Sequence, residues 1–469
     1  MAVLANLEPK KVFHYFEEIT KIPHGSGNVE QISNFLVAFA KERGLEYYQD
    51  ELKNVIMIKE ATAGYEAEPI VILQGHMDMV AVKTPDCKID MKTEGLSIGI
   101  DGDNIYAEGT SLGGDDGIAV AYILALFDSE EIKHPRLEAI ITVDEEVGMD
   151  GARGIDLSML KGHRMMNLDS EEEGIFLTSC AGGARVNCTL KTAQNKVEGV
   201  KVKLHVAGLL GGHSGEAIDK ERGNSNCILG RVLSILAGRM EISAVCAQGG
   251  LADNAIPRET TAEVVVKKDA VDLLRKLVEE VRTEIAGELA TKDPGFTMTA
   301  EVLEEGTFTA VTAADTKKAA AFLQALPNGV QAMSADMPGL VETSLNLGIL
   351  NWKEGELLAE FSVRSSVESA KKALIAKIAS VVELAGGEYT VTGEYPGWKY
   401  RVDSPLREKM VSLYREMYGT EPKVEAIHAG LECGLLADKI ADLDCVSFGP
   451  NMKDIHTTEE TLSISSTKR

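Results

Sequence analysis

The chain has 469 residues, 44% of them hydrophobic, and a formal net charge of −25 at pH 7. The length exceeds what one hydrophobic core usually supports, so two domains are expected, and the acidic excess excludes nucleic acid and anionic membrane as partners because both would be repelled. No apolar stretch reaches the roughly 18 residues of a membrane span, residues 1–6 are too short in their apolar part for a secretory signal, and seven cysteines without a Cys-x-x-Cys spacing fit reduced thiols, so a soluble cytoplasmic protein is expected.

The first helical stretch, Pro9–Thr20, carries His14. Like His24, His134, His163 and His205, it has no partner motif and is expected in a surface or core role. The apolar run Pro69–Gln74 has strand length and delivers His76 and Asp78 just past its C-terminal end. Asp115 and Asp116, inside Gly114-Asp115-Asp116-Gly117, open the apolar helix Ile118–Phe127 near its positive terminus. A second strand-like run, Leu137–Val143, delivers Glu145 and Glu146, and a third, Arg164–Leu168, ends at Asp169.

Between Gly182 and Gly397 the texture changes. Strands such as Val200–Val206, Thr260–Val266 and Leu357–Val363 alternate with amphipathic helices at Ala270–Glu288 and Ser366–Leu384, the latter opening on a Ser365-x-x-Glu368 capping box. The segment reads as an insertion with a weak internal duplication, in which Gly250–Arg258 and the strand and helix after it parallel Gly339–Gly348 and the strand and helix after that. Residues 1–182 and 398–469 are then expected to close as one discontinuous catalytic domain around a lid, residues 183–397. Downstream, His428 precedes Gly430-Leu431-Glu432 and is a candidate pocket residue, and the short apolar run Leu443–Phe448 leads to a loop bearing His456.

A carboxylate at a strand end is usually a cap or a solvated charge. The combination here is more specific. Two divalent ions sharing a bridging carboxylate need a few imidazole and carboxylate ligands, plus one carboxylate left free to take a proton from water. Gly75-His76-Met77-Asp78, Gly114-Asp115-Asp116-Gly117, Asp144-Glu145-Glu146, Asn167-Leu168-Asp169 and Asp454-Ile455-His456 together supply that inventory.

In this order, these motifs resemble those of the di-zinc metallopeptidase family that includes carboxypeptidase G, the aminoacylases, peptidase T and peptidase V, and above all its aminoacyl-histidine dipeptidase branch. The resemblance runs from Leu7 to Ile464. It implies an α/β fold: a catalytic domain with a mixed, mainly parallel sheet flanked by helices, a di-metal site at strand C-terminal ends, and an inserted α+β lid. By position it implies two Zn2+ per chain, replaceable by Mn2+ or Co2+, one held by His76 and Asp169 and the other by Glu146 and His456, with Asp115 bridging. Asp78 corresponds to the carboxylate that orients the His76 ring, Glu145 to the general base and acid, and Asp116 to a structural neighbour joined to Asp115 by a cis peptide. Asp169 stands where some relatives carry Glu.

Within the insertion, Gly211-Gly212-His213-Ser214-Gly215 resembles the family turn whose imidazole stabilises an oxyanion, while Asn254 and Arg364 match positions that bind the substrate carbonyl and terminal carboxylate. On spacing alone His213 and Asn254 read as turn residues and Arg364 as a surface ion pair. The expected activity is hydrolysis of unblocked dipeptides, Xaa-His including β-alanyl-histidine. An N-acyl-amino-acid deacylase or a tripeptidase would use the same metals, and a silent binding protein is the non-enzymatic alternative, disfavoured by the intact Glu145 and full ligand set. Short-lid relatives dimerise through the lid, so a duplicated lid implies that a homodimer is not required for the active site.

Overall fold

The computed structural model describes residues 2–469, which form two compact units. The first comprises residues 2–179, 400–426 and 431–469, and the second residues 180–399 with 427–430. His428 therefore belongs to the second unit, not to the returning catalytic segment in which the sequence reading put it.

The first unit is built on an eight-stranded sheet in the order Glu46–Gln49, Val55–Lys59, Leu137–Thr142, Val71–His76, Arg164–Asn167, Asp444–Ser447, Ile175–Cys180, Lys423–Ile427. The four strands from Leu137–Thr142 to Asp444–Ser447 are parallel to their neighbours, and those flanking them pair antiparallel. Parallel neighbours need a crossover, and helix Gly114–Phe127 supplies it between Val71–His76 and Leu137–Thr142. That helix is apolar almost all round because it is buried: Ile118, Val120, Ile123 and Leu124 pack with Phe13, Phe16 and Ile19 of helix Lys10–Thr20 and with Leu73, Ala139 and Ile141 of the sheet. Four parallel strands thus end side by side, and the motif residues follow their C-terminal ends, where open α/β sheets present ligand sites.

The second unit is α+β, and its main sheet has a palindromic order: Thr297–Val311, Gln194–Ala207, Thr260–Val266, Ser243–Gly249, then Val341–Lys353, Glu356–Ser365, Gly182–Lys191, Glu388–Tyr395. In the first half the chain runs strand, helix Ser225–Arg239, two strands, helix Val271–Leu289, strand; the second half repeats this with helices Ala313–Ala325 and Glu368–Leu384. From edge to centre each half places its fourth, first, third and second strand. The second strands meet antiparallel at Gln248↔Asn351, and the equivalent helices Ser225–Arg239 and Ala313–Ala325 pack on each other. The first half is spliced in between the first strand of the second half and its first helix.

The duplication is therefore present, and the paired strands and helices, Thr260–Val266 with Val271–Leu289 and Glu356–Ser365 with Glu368–Leu384, are equivalent; only the segments before them are out of step. Gly250 follows the second strand of its half, whereas Gly339 precedes the corresponding strand. The capping box is also absent: helix Glu368–Leu384 begins after Val367, and Ser365 Oγ instead accepts the Val367 N–H at 3.1 Å. The 15-residue edge strand Thr297–Val311 went unread because most of its residues are exposed and alternation is lost around Glu301, Glu304 and Glu305.

Candidate metal centre

His76 ends its strand with the ring buried. Its Nδ1 lies 2.9 Å from the backbone carbonyl of Asp78, which leaves Nε2 to face the site, 3.1 Å from Asp115 Oδ1 and 3.6 Å from Asp169 Oδ1. His456, on its loop with φ of 62°, directs Nε2 to within 3.1 Å of Asp115 Oδ2 and 3.0 Å of Glu146 Oε1. The second of these contacts is not aligned as a hydrogen bond, and Glu146 Oε1 has no other partner. One ring N–H cannot serve two acceptors well. Two donors bound to the same tetrahedral zinc at about 2.0–2.1 Å stand about 3.4 Å apart, and these spacings bracket that value. The two oxygens of Asp115 thus face different imidazoles, each accompanied by one further carboxylate.

Asp115 reaches this position because the helix does not begin regularly. The Asp115–Asp116 peptide is cis, and both residues have non-helical angles, φ/ψ −83°/106° and −116°/32°. Asp116 is fully buried; its Oδ2 accepts the His76 N–H at 3.1 Å and its Oδ1 has no hydrogen-bond partner. Donor atoms of His76, Asp116 and Asp169 lie within 4.8 Å of one another, as do those of His76, Asp115 and Glu146. Gly75 has to be glycine, since a Cβ there would collide with the Asp116 carboxylate.

Asp78 faces the His76 ring with its backbone carbonyl and with its carboxylate, 3.5 Å from Nδ1, and the carboxylate also accepts the Glu145 N–H at 3.1 Å and the Ser26 hydroxyl at 2.8 Å. Gly27 N–H donates to Asp144 at 2.6 Å, and Asp144 has φ of 53°, so the 26–27 turn ties down the loop bearing Glu145 and Glu146. Beneath the site, Glu432 is fully buried and accepts from Gln74 and Thr142, both at 2.6 Å.

The electrostatics are unbalanced. The described ion pairs of these carboxylates come only from the two imidazoles. Burial, reinforced by neighbouring carboxylates, raises Asp116 and Glu145 well above the ordinary range, Asp169 to about 6 and Glu432 to about 8. Burial also opposes ionisation of Asp115, but the imidazoles of His456 and His76 overcome it and hold that carboxyl low. Burial disfavours the charged form of His76, yet Asp115 and Asp169 raise its pKa well above normal; Asp115 and Glu146 raise His456 to about 10. Such a donor set, rich in negative charge and with unpartnered buried oxygens on Asp116 and Glu146, fits divalent cations.

In the second unit, residues 212–213 pair with 255–256, and Ser214 N–H donates to the Asn254 carbonyl at 2.8 Å, which brings His213 and Asn254 together. Arg364 is buried, bonds the Tyr395 hydroxyl at 3.3 Å and has an unpartnered Nε. It is not the surface ion pair that spacing suggested. Ser344 lies opposite it on the neighbouring strand and contacts His428 Nε2 at 2.7 Å. Burial lowers both histidines, His428 to about 4, and the Arg364 charge adds to the effect. The sequence reading missed Ser26, Gly27, Tyr395 and Glu460; Glu460, four residues after His456, was the most accessible of these. A cavity of about 600 Å3 in the first unit is lined by Leu73, Tyr122, Met166, Phe176, Met410 and Phe448 among others and by none of the candidate metal ligands.

Fold and donor set together define a metallopeptidase-type hydrolase. Residues 72–469 match Peptidase family M20/M25/M40, and the chain belongs to that family. It is 35% identical to the cytosol non-specific dipeptidase of Escherichia coli K12, over 99% of this chain and 96% of the relative. Among solved structures it is similar to an aminoacylhistidine dipeptidase from Vibrio alginolyticus, with a TM-score of 0.94, 36% identity, and coverage of 99% of this chain and 95% of that one. The aminopeptidase PepT of Bacillus cereus shares the fold at a TM-score of 0.56 and 17% identity, covering 98% and 95% of the two chains.

Proposed function

We propose that the chain is a two-zinc dipeptidase of the cytosol that hydrolyses unblocked dipeptides, Xaa-His and β-alanyl-histidine among them. The observation that carries this reading is Asp115, whose two oxygens each face a different imidazole. His76 and Asp169 would hold one ion and His456 and Glu146 the other, with Asp115 shared between them. When bound, the ions polarise the scissile carbonyl and make water acidic enough to be deprotonated near neutral pH.

Glu145, its backbone fixed by Asp78, takes the proton of the attacking water and passes it to the leaving amine; a carboxyl raised by burial suits both halves of that transfer. His213 serves as a neutral donor to the developing oxyanion. Its Nδ1 accepts the Glu216 N–H at 3.4 Å, which favours the tautomer carrying the proton on Nε2, and its lowered pKa favours the neutral ring. Arg364 binds the substrate carboxylate and Asn254 its carbonyl. The names of the Escherichia coli and Vibrio alginolyticus relatives support a dipeptide substrate.

The test is metal analysis of active protein together with a hydrolysis screen over dipeptides, tripeptides and acylated amino acids with zinc, manganese or cobalt. Close to two ions per chain, loss of turnover on chelation and a preference for free dipeptides are expected. Full activity with one firmly bound ion, or faster cleavage of acylated amino acids, would refute this assignment.

A further inference from the structure

We propose that Glu460 is a positioning residue for the metal centre, fixing the bridging carboxylate of Asp115 through the backbone. The inference rests on the reading that Asp115 bridges two ions. Glu460 is 3% exposed, and its carboxylate is wrapped by four consecutive backbone N–H groups: Oε2 accepts from Leu112 at 2.8 Å and Gly113 at 3.0 Å, and Oε1 from Gly114 at 2.8 Å and Asp115 at 3.3 Å.

Successive N–H groups converge on one anion only when the backbone curls into a nest, and here Gly113 provides the left-handed residue, with φ of 69°. Gly114 provides the clearance, because a Cβ at that position would come within 3.2 Å of both Glu460 Oε1 and Met452 Sδ. The two glycines before Asp115-Asp116 thus shape a seat for an anion, and the chain supplies that anion itself.

The placement links two parts of the chain that meet at one carboxylate. The segment carrying Glu460 also carries His456, whose Nε2 faces Asp115 Oδ2. It therefore holds Asp115 twice, at the side chain through His456 and at the backbone through Glu460. Asp115 and Asp116 lie outside helical geometry, so the helix alone does not fix the Asp115 side chain, and the N–H groups at 112–115 would otherwise be unsatisfied within the protein. A carboxylate is the only side chain of this length that can accept four such bonds. Glutamine would turn an N–H toward N–H groups.

The experiment compares zinc binding by folded metal-free wild type, Glu460→Gln and Gly114→Ala, using competition with a chromophoric chelator, and records the thermal midpoint of each. The expected result is a 10- to 100-fold loss of affinity for both ions in Glu460→Gln, the scale on which groups behind metal ligands act, with turnover recovered in excess zinc. Gly114→Ala presses on the same carboxylate without removing it and should weaken both ions in the same sense. The double variant should lose less than the product of the two single losses. Unchanged affinity beside a lowered thermal midpoint would make Glu460 a structural cap and overturn the proposal, as would weakening of one ion alone. If Glu460→Gln fails to fold, Gly114→Ala decides by the same criteria. A wild type that takes up no zinc would instead refute the metal-centre reading itself, a failure separate from this one.

Discussion

In the first unit seven carboxylates, Asp78, Asp115, Asp116, Glu145, Glu146, Asp169 and Glu432, crowd around two imidazoles. In the second, a buried guanidinium, Arg364, has a tyrosine hydroxyl and two proton-poor histidines for company and no carboxylate among its described partners. Both arrangements leave buried charge uncompensated, which costs several kcal/mol unless something else supplies the counter-charge. The signs are opposite. A negative cluster with converging imidazoles suits metal cations, and a positive one suits a carboxylate such as a peptide C-terminus. A buried polar cluster elsewhere in the second unit is satisfied internally: Asn224 caps helix Ser225–Arg239 and bonds Asn346, which in turn bonds the carbonyls of Asp253 and Ala255. Within one unit, Asn224 and Asn346 answer each other, while the Arg364 guanidinium has no counter-charge among its described partners.

The comparison breaks most visibly at Glu145 and Glu146. Glu145→Ala should keep both metals and the fold and lose about 10³-fold or more in kcat, because it removes the proton carrier alone. Glu146→Ala should lose metal. Equal metal loss in both, measured by elemental analysis of purified protein, would show that the neighbours do not divide the work as assigned. Arg364→Lys tests the other sign. A lysine keeps the charge but loses the fork, so KM should rise about tenfold or more with zinc content unchanged. If zinc content falls as well, the two charge centres are not independent.

Different parts of this picture were legible to different degrees. The parallel strands could be read because burial makes them largely apolar runs, and His76, Glu145 and Asp169 lie at or just past the ends of these runs. Asp116 Oδ1, Glu432 and Glu460 could not be read as they stand, since a lone acidic residue looks the same in sequence whether solvated or walled in. In the second unit His213, Asn254 and Arg364 came from resemblance, not periodicity. The position of Arg364 depends on the register of Glu356–Ser365 against two other strands, set by residues as far apart in the chain as Ser365 and Gly182. The duplication was visible in the repeated strand and helix, but the segments before them were matched out of step because Gly250 and Gly339 both mark turns, and turns recur after every strand.

Acid and base should affect the two units in opposite directions. Glu432 has its folded pKa raised from 4.5 to about 8, so the native state binds the extra proton; its stability contribution is complete below pH 4.5 and is lost as pH rises through 8. His428 has its folded pKa lowered from 6.5 to about 4, so the unfolded state binds the extra proton and stability is lost as pH falls from 6.5 toward 4. Denaturant midpoints of metal-free protein should therefore decline toward both ends of the pH range. Glu432→Gln should flatten the alkaline side and His428→Gln the acid side, each by up to a few kcal/mol. A variant that flattens the wrong side would reverse the assignment of charge to unit.

The smallest effect is expected where an arginine of the second unit already has its partner. Arg231 makes a bidentate pair with Glu288, at 2.7 and 2.8 Å, on the exposed faces of helices Ser225–Arg239 and Val271–Leu289. By geometry this is a better ion pair than anything Arg364 makes, yet water screens it, and the two long side chains lose freedom in forming it. Glu288→Ala should cost about 0.5 kcal/mol and leave kcat, KM and metal content untouched. Arg231 and Arg364 have the same side chain in the same unit, so the pair isolates the variable on which the comparison depends, whether the charge is already answered. Any change in KM from Glu288→Ala approaching that from Arg364→Lys would mean that burial without a counter-charge does not mark the functional arginine.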